Sequence, residues 1–244
     1  MRGWRGAGVA VLLMVIAAVG ALFYSRGNNG QFIPAPRPPA ERPPLMLLTT
    51  LPIVFPEHFG LNAPASPVLK ALQSRYRVEP ISVADAADLD HRPLLLMAQP
   101  RAQPGEALVE LDEWVRGGGR VLLLADPALE WPGDRPLGSL LRPPFAFADT
   151  GLLAHWGLRL EAPDKLGPAE RAADELKVRT QSPGKLTATG TGCSISSDGF
   201  IARCGIGKGK ATIVADADFL APASSVDATA NLGLLLIELA KLEQ

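Results

Sequence analysis

GEALVELDEWVRGGGRVLLLADP, residues 105–127, reads as a helix, a glycine turn and a buried strand that ends in an acid. Pro104 suits a helix start, because the N–H it lacks would have no partner in the first turn. Leu108, Leu111 and Trp114/Val115 recur at three- and four-residue spacing, while Glu106, Glu110, Asp112, Glu113 and Arg116 take the other side. That spacing gives one apolar stripe and one wet face. The acids come early and Arg116 late, as the helix dipole favours. Gly117, Gly118 and Gly119 supply the left-handed backbone that closes a helix. A glycine-rich phosphate cradle precedes its helix, whereas this triplet follows one. Residues 121–125 are apolar without alternation, the pattern of a central parallel strand covered on both faces.

The flanking sequence repeats the rhythm. LMLLTTLPIVF (45–55) opens as a buried strand and breaks at Pro52. Ser66-Pro67 then supplies an N-cap and a first-turn proline for a helix with Val68, Leu69, Leu72 and Tyr76 on one face. RVEPISV (77–83) suits an edge strand, since Pro80 cannot donate to a ladder. PLLLMAQ (93–99) is another buried strand. Strand and helix alternating in this way predict an open, mostly parallel α/β sheet with right-handed crossovers.

Beyond it, residues 128–148 form a long connection rich in Trp, Pro and Gly, either a functional lid or a packed insertion. A short helix over 149–156 closes at Gly157, followed by a strand at 158–161 and a polar loop. Residues 176–215 alternate like antiparallel strands, with turns at 182–184, 197–199 and 207–209. A strongly apolar helix over 227–242 should cover the sheet.

At the other end, residues 7–24 are eighteen apolar residues flanked by Arg2, Arg5 and Arg26. At 1.5 Å per residue this run can span a bilayer core of roughly 30 Å. The excess of positive charge ahead of it puts the N-terminus in the cytoplasm and the body across the membrane. A cleaved signal peptide ending near Ala18-Val19-Gly20 is the rival, and either one exports the body. The chain therefore divides into an anchor (1–27), a proline-rich linker (28–44) expected to extend as polyproline II, and an extracytoplasmic α/β body (45–244). A hydrophobic content of 47% is ample for one core. A net charge of −1 carries no basic field for nucleic acid.

The candidate site lies at the strand ends. Asp126 and the pair Asp216/Asp218 each follow an apolar strand, and Thr49, Thr50 and Gln99 end two more. In open α/β sheets ligands bind outside the carboxyl ends of the strands. The same acids also suit capping of the next turn. Three acids from distant segments do not amount to a metal site, and no cofactor is implied. Cys193 and Cys204, with ten residues between them across the Ser197-Asp198-Gly199 turn, suit a disulfide between paired strands. A nucleophilic Cys would need a strand-to-helix turn and a His partner, and His58, His91 and His155 stand in no such motif. Gly207-Lys208-Gly209-Lys210 lacks the Ser/Thr and the helix of a phosphate loop, which leaves a basic hairpin turn.

LLTTLP, LLLMAQPRA, LVELDEWVRGGGRVLLLADP, LLAHWGLRL and GKGKATIVADADFL together resemble the GldG-like family of bacterial auxiliary proteins, in its membrane-anchored branch found with ABC-type transport systems. The resemblance covers residue 45 to the C-terminus. It implies a fold similar to class I glutamine amidotransferases, flavodoxin-like in layout and without their catalytic residues. It also implies protein partners in a membrane complex. The expectation is a non-enzymatic, single-pass accessory domain of the cytoplasmic membrane. The alternative is a hydrolase or small-ligand binder that uses Asp126, Asp216 and Asp218.

Overall fold

Four strands too apolar to face water on either side need two covering layers, and the computed structural model provides both. It describes residues 33–55, 65–136, 138–221 and 228–244. The anchor expected at 7–24 lies outside the described residues, among which no helix is long and apolar enough to cross a membrane.

The chain runs β1 (Pro44–Thr49), α1 (Pro67–Gln73), β2 (Arg77–Ile81), α2 (Ala86–Leu89), β3 (Leu94–Ala98), α3 (Gly105–Gly117) and β4 (Arg120–Leu124). It continues through α4 (Leu152–His155), β5 (Leu158–Glu161), β6 (Pro168–Ala173), β7 (Leu176–Gln181), β8 (Lys185–Ala188), β9 (Cys193–Ile195), β10 (Ile201–Ile206), β11 (Gly209–Val214) and α5 (Ala228–Leu242). Seven strands form one sheet in the order β2-β1-β3-β4-β11-β10-β9. Pairing is parallel from β2 to β11, then antiparallel through β10 and β9. This is a mixed α/β fold with a mostly parallel sheet and antiparallel hairpins. As Pro80 requires, β2 is an edge.

Alternate residues of each strand feed opposite cores. Leu45, Leu47, Leu96, Leu122 and Leu124 pack with Val68, Leu72 and Tyr76 at α1, with Leu235 and Leu239 of α5, and with Val178 of the β6–β7 hairpin. Met46, Leu95, Met97, Val121 and Leu123 pack on the other side with Leu111 and Val115 of α3 and Leu153 of α4. Ser66 caps α1, its side chain accepting from the Val68 N–H at 3.2 Å. Gly118, at φ 125°, closes α3.

Three features differ from the sequence reading. The polar loop after residue 161 contains β6, whose alternation is masked by the adjacent charged pair Glu170-Arg171, one on each face. The strand at 158–161 leaves the main sheet and pairs with β8. β11 is antiparallel to β10 but parallel to β4, so it joins the hairpin section to the parallel section. From Ile33, the proline-rich stretch lies against the body. Ile33 packs on the core, the Arg37 N–H donates to the Ser74 carbonyl at 2.9 Å, and the Arg37 side chain pairs with Glu243.

The disulfide joins Cys193 and Cys204, which face each other across β9 and β10. Replacing Cys204 with Ser should lower unfolding free energy by about 3 kcal/mol, the loop-closure entropy of so short a ring. Chemical denaturation in the absence of reductant reads this directly. A backbone position gives a second check. A Cβ at Gly209 would strike the carbonyl oxygens of Val115 and Gly119, where β11 meets the end of α3, whereas one at Gly205 meets open space. Gly209→Ala should cost about 3 kcal/mol and Gly205→Ala less than about 0.5 kcal/mol in the same measurement.

Candidate functional site

Where β4 and β11 end side by side, the chain must satisfy its last backbone groups without a ladder. The strand-end acids meet there. Asp126 is fully buried and accepts three backbone N–H groups, from Ala128 at 2.8 Å, Ala217 at 2.9 Å and Asp218 at 3.3 Å. Asp216, also fully buried, accepts the Thr180 hydroxyl at 2.6 Å and the Phe219 N–H at 2.9 Å, both on Oδ1. Asp218 is 5% exposed and accepts the Glu130 N–H at 2.6 Å on Oδ2. The remaining oxygens, Asp216 Oδ2 and Asp218 Oδ1, are buried without a partner among the described residues. The Ser182 hydroxyl donates to the Glu130 carboxylate and accepts the Gly167 N–H, which brings the end of β7 into the same knot.

Burial dominates the acid–base behaviour. It pushes the Asp126 carboxyl up to about 6, against the three N–H groups that favour its charge. Burial, then the nearby Asp126 charge, pushes Asp216 well above the usual carboxylate range. Asp218 rises to about 7, by burial and the surrounding acids Asp126 and Glu130. Each shift disfavours the ionised form in the folded state.

Gln99 is drawn into the knot but gives up its side chain to it. The side-chain amide donates to the carbonyls of Asp126 and Pro144, each at 3.1 Å, and the side-chain oxygen accepts the Asp126 N–H at 3.0 Å. Gln99 and Ser182 both hold left-handed backbone, at φ 45° and 40°, a conformation that costs a non-glycine residue free energy and persists where surroundings fix it. Thr49 and Thr50 stand apart from the acids. Their hydroxyls donate to the Ala98 and Gln99 carbonyls. They line a groove of about 490 Å³ at the ends of β1 and β2, with Phe55, Leu140 and Leu141. A second cavity of about 310 Å³, lined by Leu129, Trp131, Arg142 and Phe145, shares Arg101, Arg135 and Leu140 with it.

Sequence reasoning placed the three acids on one rim and missed the partners that complete the knot. Thr180, Ser182 and Glu130 sit in a strand, a turn and a loop that carry no motif. Only Ser182-Pro183-Gly184, read as a turn, could have pointed there. His155 packs its ring against Asp112, with Nε2 3.2 Å from the carboxylate, and the Trp156 indole N–H donates to the same carboxylate at 2.8 Å. This contact fastens α4 to α3. Gly207-Lys208-Gly209 is the β10–β11 turn, with the Lys208 N–H donating to the Arg116 carbonyl at 2.9 Å. Among the described residues no group of three or more His, Cys, Asp or Glu side chains is arranged to hold a metal ion.

No family model and no curated protein matches the chain. Among solved structures it is similar to an exo-β-1,4-mannosidase from an Opitutaceae bacterium, at 15% identity and a TM-score of 0.47, over 81% of this chain and 36% of that one. It is similar to a β-galactosidase from Bacillus circulans at 13% identity and a TM-score of 0.42, over 78% and 30%. It also resembles a cytoplasmic protein from Salmonella typhimurium at 12% identity and a TM-score of 0.49, over 81% and 98%. The chain spans about a third of the length of these glycosidases. At such identities and scores the likenesses assign no activity or site to it.

Asparagine at position 126 would offer one acceptor oxygen where two are used, and turn an N–H toward backbone N–H groups. Asp126→Asn should therefore lower unfolding free energy by about 2–3 kcal/mol at pH 7, as read from denaturant midpoints with an unchanged slope.

Proposed function

We propose that this protein is a non-enzymatic, membrane-anchored accessory domain, held outside the cytoplasmic membrane as part of a bacterial envelope or ABC-type transport assembly. In this proposal it engages a protein partner through the loop at 128–148. The carrying observation is the surface of that loop, described except at residue 137. Leu140 is 83% exposed, and Leu141, Phe145 and the neighbouring Phe55 are each about two-thirds exposed. Isolated exposed apolar residues are ordinary, but a contiguous set of large ones marks a surface that another molecule covers.

The set is presented by anchored backbone. The Arg101 guanidinium donates to the Leu140 and Arg142 carbonyls, the Gln99 side-chain amide to Pro144, the Leu129 N–H to Phe145 at 2.7 Å and the Phe147 N–H to Asp126 at 2.6 Å. A surface fixed before binding loses less entropy on association. The role of the strand-end acids also supports this proposal over hydrolysis, since Asp126 spends both oxygens on backbone N–H groups. The strand order β2-β1-β3-β4 followed by β11 supports a flavodoxin-like layout, as in the amidotransferase-like body of GldG-like proteins. The apolar run at residues 7–24, flanked by Arg2, Arg5 and Arg26, supports the tether.

Photo-crosslinking in membranes from Leu141 and Phe145 should capture a protein, and Leu140→Asp with Phe145→Asp should weaken its binding on the order of 30-fold without lowering thermal stability. Capture of nothing but lipid or a small metabolite sinks the accessory-domain proposal. A reporter fused after residue 40 should give an extracytoplasmic signal, and a cytoplasmic one removes the tether.

A further inference from the structure

The acid knot is more than a set of caps, because its bonding leaves one oxygen of Asp216 and one of Asp218 bare. In both residues a single oxygen does all the accepting, Oδ1 in Asp216 and Oδ2 in Asp218. The other oxygen is buried with no protein partner. A buried carboxylate in this arrangement would leave much of its charge unsolvated, at a cost of several kcal/mol. A carboxylic acid fits it, with the carbonyl oxygen accepting and the hydroxyl on the bare side. Asp126 is different, since N–H groups reach both of its oxygens, the bonding of a carboxylate.

Among the described residues, the groups bonded to these acids include no cation. The charged side chains acting on the knot are the acids Asp126, Glu130, Asp216 and Asp218 themselves. From β7 the knot receives the hydroxyls of Thr180 and Ser182, while Lys177 and Arg179 alternate with Thr180 onto the exposed side of the strand. From α5, Asn231, which is neutral, donates to the Phe219 carbonyl beside the knot at 2.7 Å.

The knot also holds the 128–148 loop. Ala128 and Glu130 are tied to Asp126 and Asp218, and the far end of the loop returns to the Asp126 carbonyl through the Phe147 N–H. We propose that Asp216 and Asp218 are proton-binding residues that act as neutral acids, each with its proton on the bare oxygen, Asp218 fastening the loop at Glu130 and Asp216 holding the Phe219 turn in which Asp218 sits, and that loss of these protons to solvent loosens the loop and its apolar surface. This proposal gives a regulation to the surface assigned above and rests on that assignment only for its biological use.

The sign follows from the direction of the shifts. A carboxyl with a raised folded-state pKa contributes stability that is full below its ordinary value near 4 and is lost as pH rises through the folded value. Burial and the surrounding acids push the Asp218 carboxyl up to about 7, and burial holds Asp216 well above the usual carboxylate range. Fastening is therefore complete in mild acid and weakened above neutrality.

Hydrogen exchange of the full-length chain in detergent, corrected for the intrinsic base-catalysed rate, reads the amides of Ala128, Glu130, Ala217 and Phe219. Corrected exchange in the wild type should rise on the order of tenfold or more between pH 5 and pH 8, equivalent to about 1.4 kcal/mol or more. The double variant Asp216→Asn/Asp218→Asn carries an amide where the acid hydroxyl stands, and should keep acid-level protection across the range. A flat wild-type profile overturns the proposal, as does a double variant that keeps the wild-type slope. A folded double variant unprotected at pH 5 overturns it too, because the fastening would then need charge. Should the variant fail to fold, the wild-type profile alone decides. None of these readings involves a partner, so a failed crosslinking experiment and a failed pH profile point to different errors.

Discussion

A parallel sheet covered on both faces hides its apolar residues well and has one weak place, the ends of its strands. There the ladder stops while the backbone is still buried, and every remaining N–H and carbonyl needs a partner. This protein meets that constraint with side chains. Asp126 takes the N–H groups of three residues just past β4 and β11, Gln99 bridges β3 to the same point, and the two threonines at the end of β1 donate to the carbonyls of Ala98 and Gln99 at the end of β3. Strand-end polarity that resembles a binding rim therefore also terminates the sheet.

The two roles separate on bonding capacity. A residue poised for a ligand keeps donors or acceptors in reserve at an accessible surface. Gln99 has none, because both ends of its amide are engaged inside the protein, and Asp126 is closed off by backbone. Thr49 and Thr50 border a groove, yet their protons are committed to β3. Spare capacity at this end of the sheet lies in Asp216 and Asp218, whose bare oxygens face the interior rather than a cavity. Open space and exposed apolar area lie together on the neighbouring loop. The bonding of the rim therefore concerns the integrity of the loop, and the proposed recognition is assigned to its surface.

Much of this was legible in the sequence because local and global preferences agree there. The unalternating runs at 45–48, 94–98 and 121–125, the Ser66-Pro67 start and the glycines after Arg116 each allow few arrangements, and the structure adopts them. The Cys193–Cys204 pairing was legible for the same reason, since a short turn between alternating strands fixes the register. β6 was not, because PAERAA hides its one buried residue, Ala173, at the end of a charged segment. Nor were contacts between remote positions, such as Glu130 with Asp218 or Arg37 with Glu243, where neither residue carries a local signal of its partner. The acids themselves were visible at their strand ends. Whether they cap or bind was not, because that depends on which N–H groups the fold delivers to each oxygen.

The position of the loop between two supports of different chemistry follows from this arrangement. On one side the Arg101 guanidinium holds the Leu140 and Arg142 carbonyls. On the other, the loop leaves and rejoins the sheet at Asp126 beside the two buried acids proposed to bind protons. Loss of the second support would leave the loop tethered at its apolar tip by Arg101 and freed near its base, where Ala128 and Glu130 now donate into the knot. Such a loop keeps its exposed leucines near the sheet while their backbone gains freedom. The rim would then govern how rigidly the surface is presented, with no change in which residues make it up.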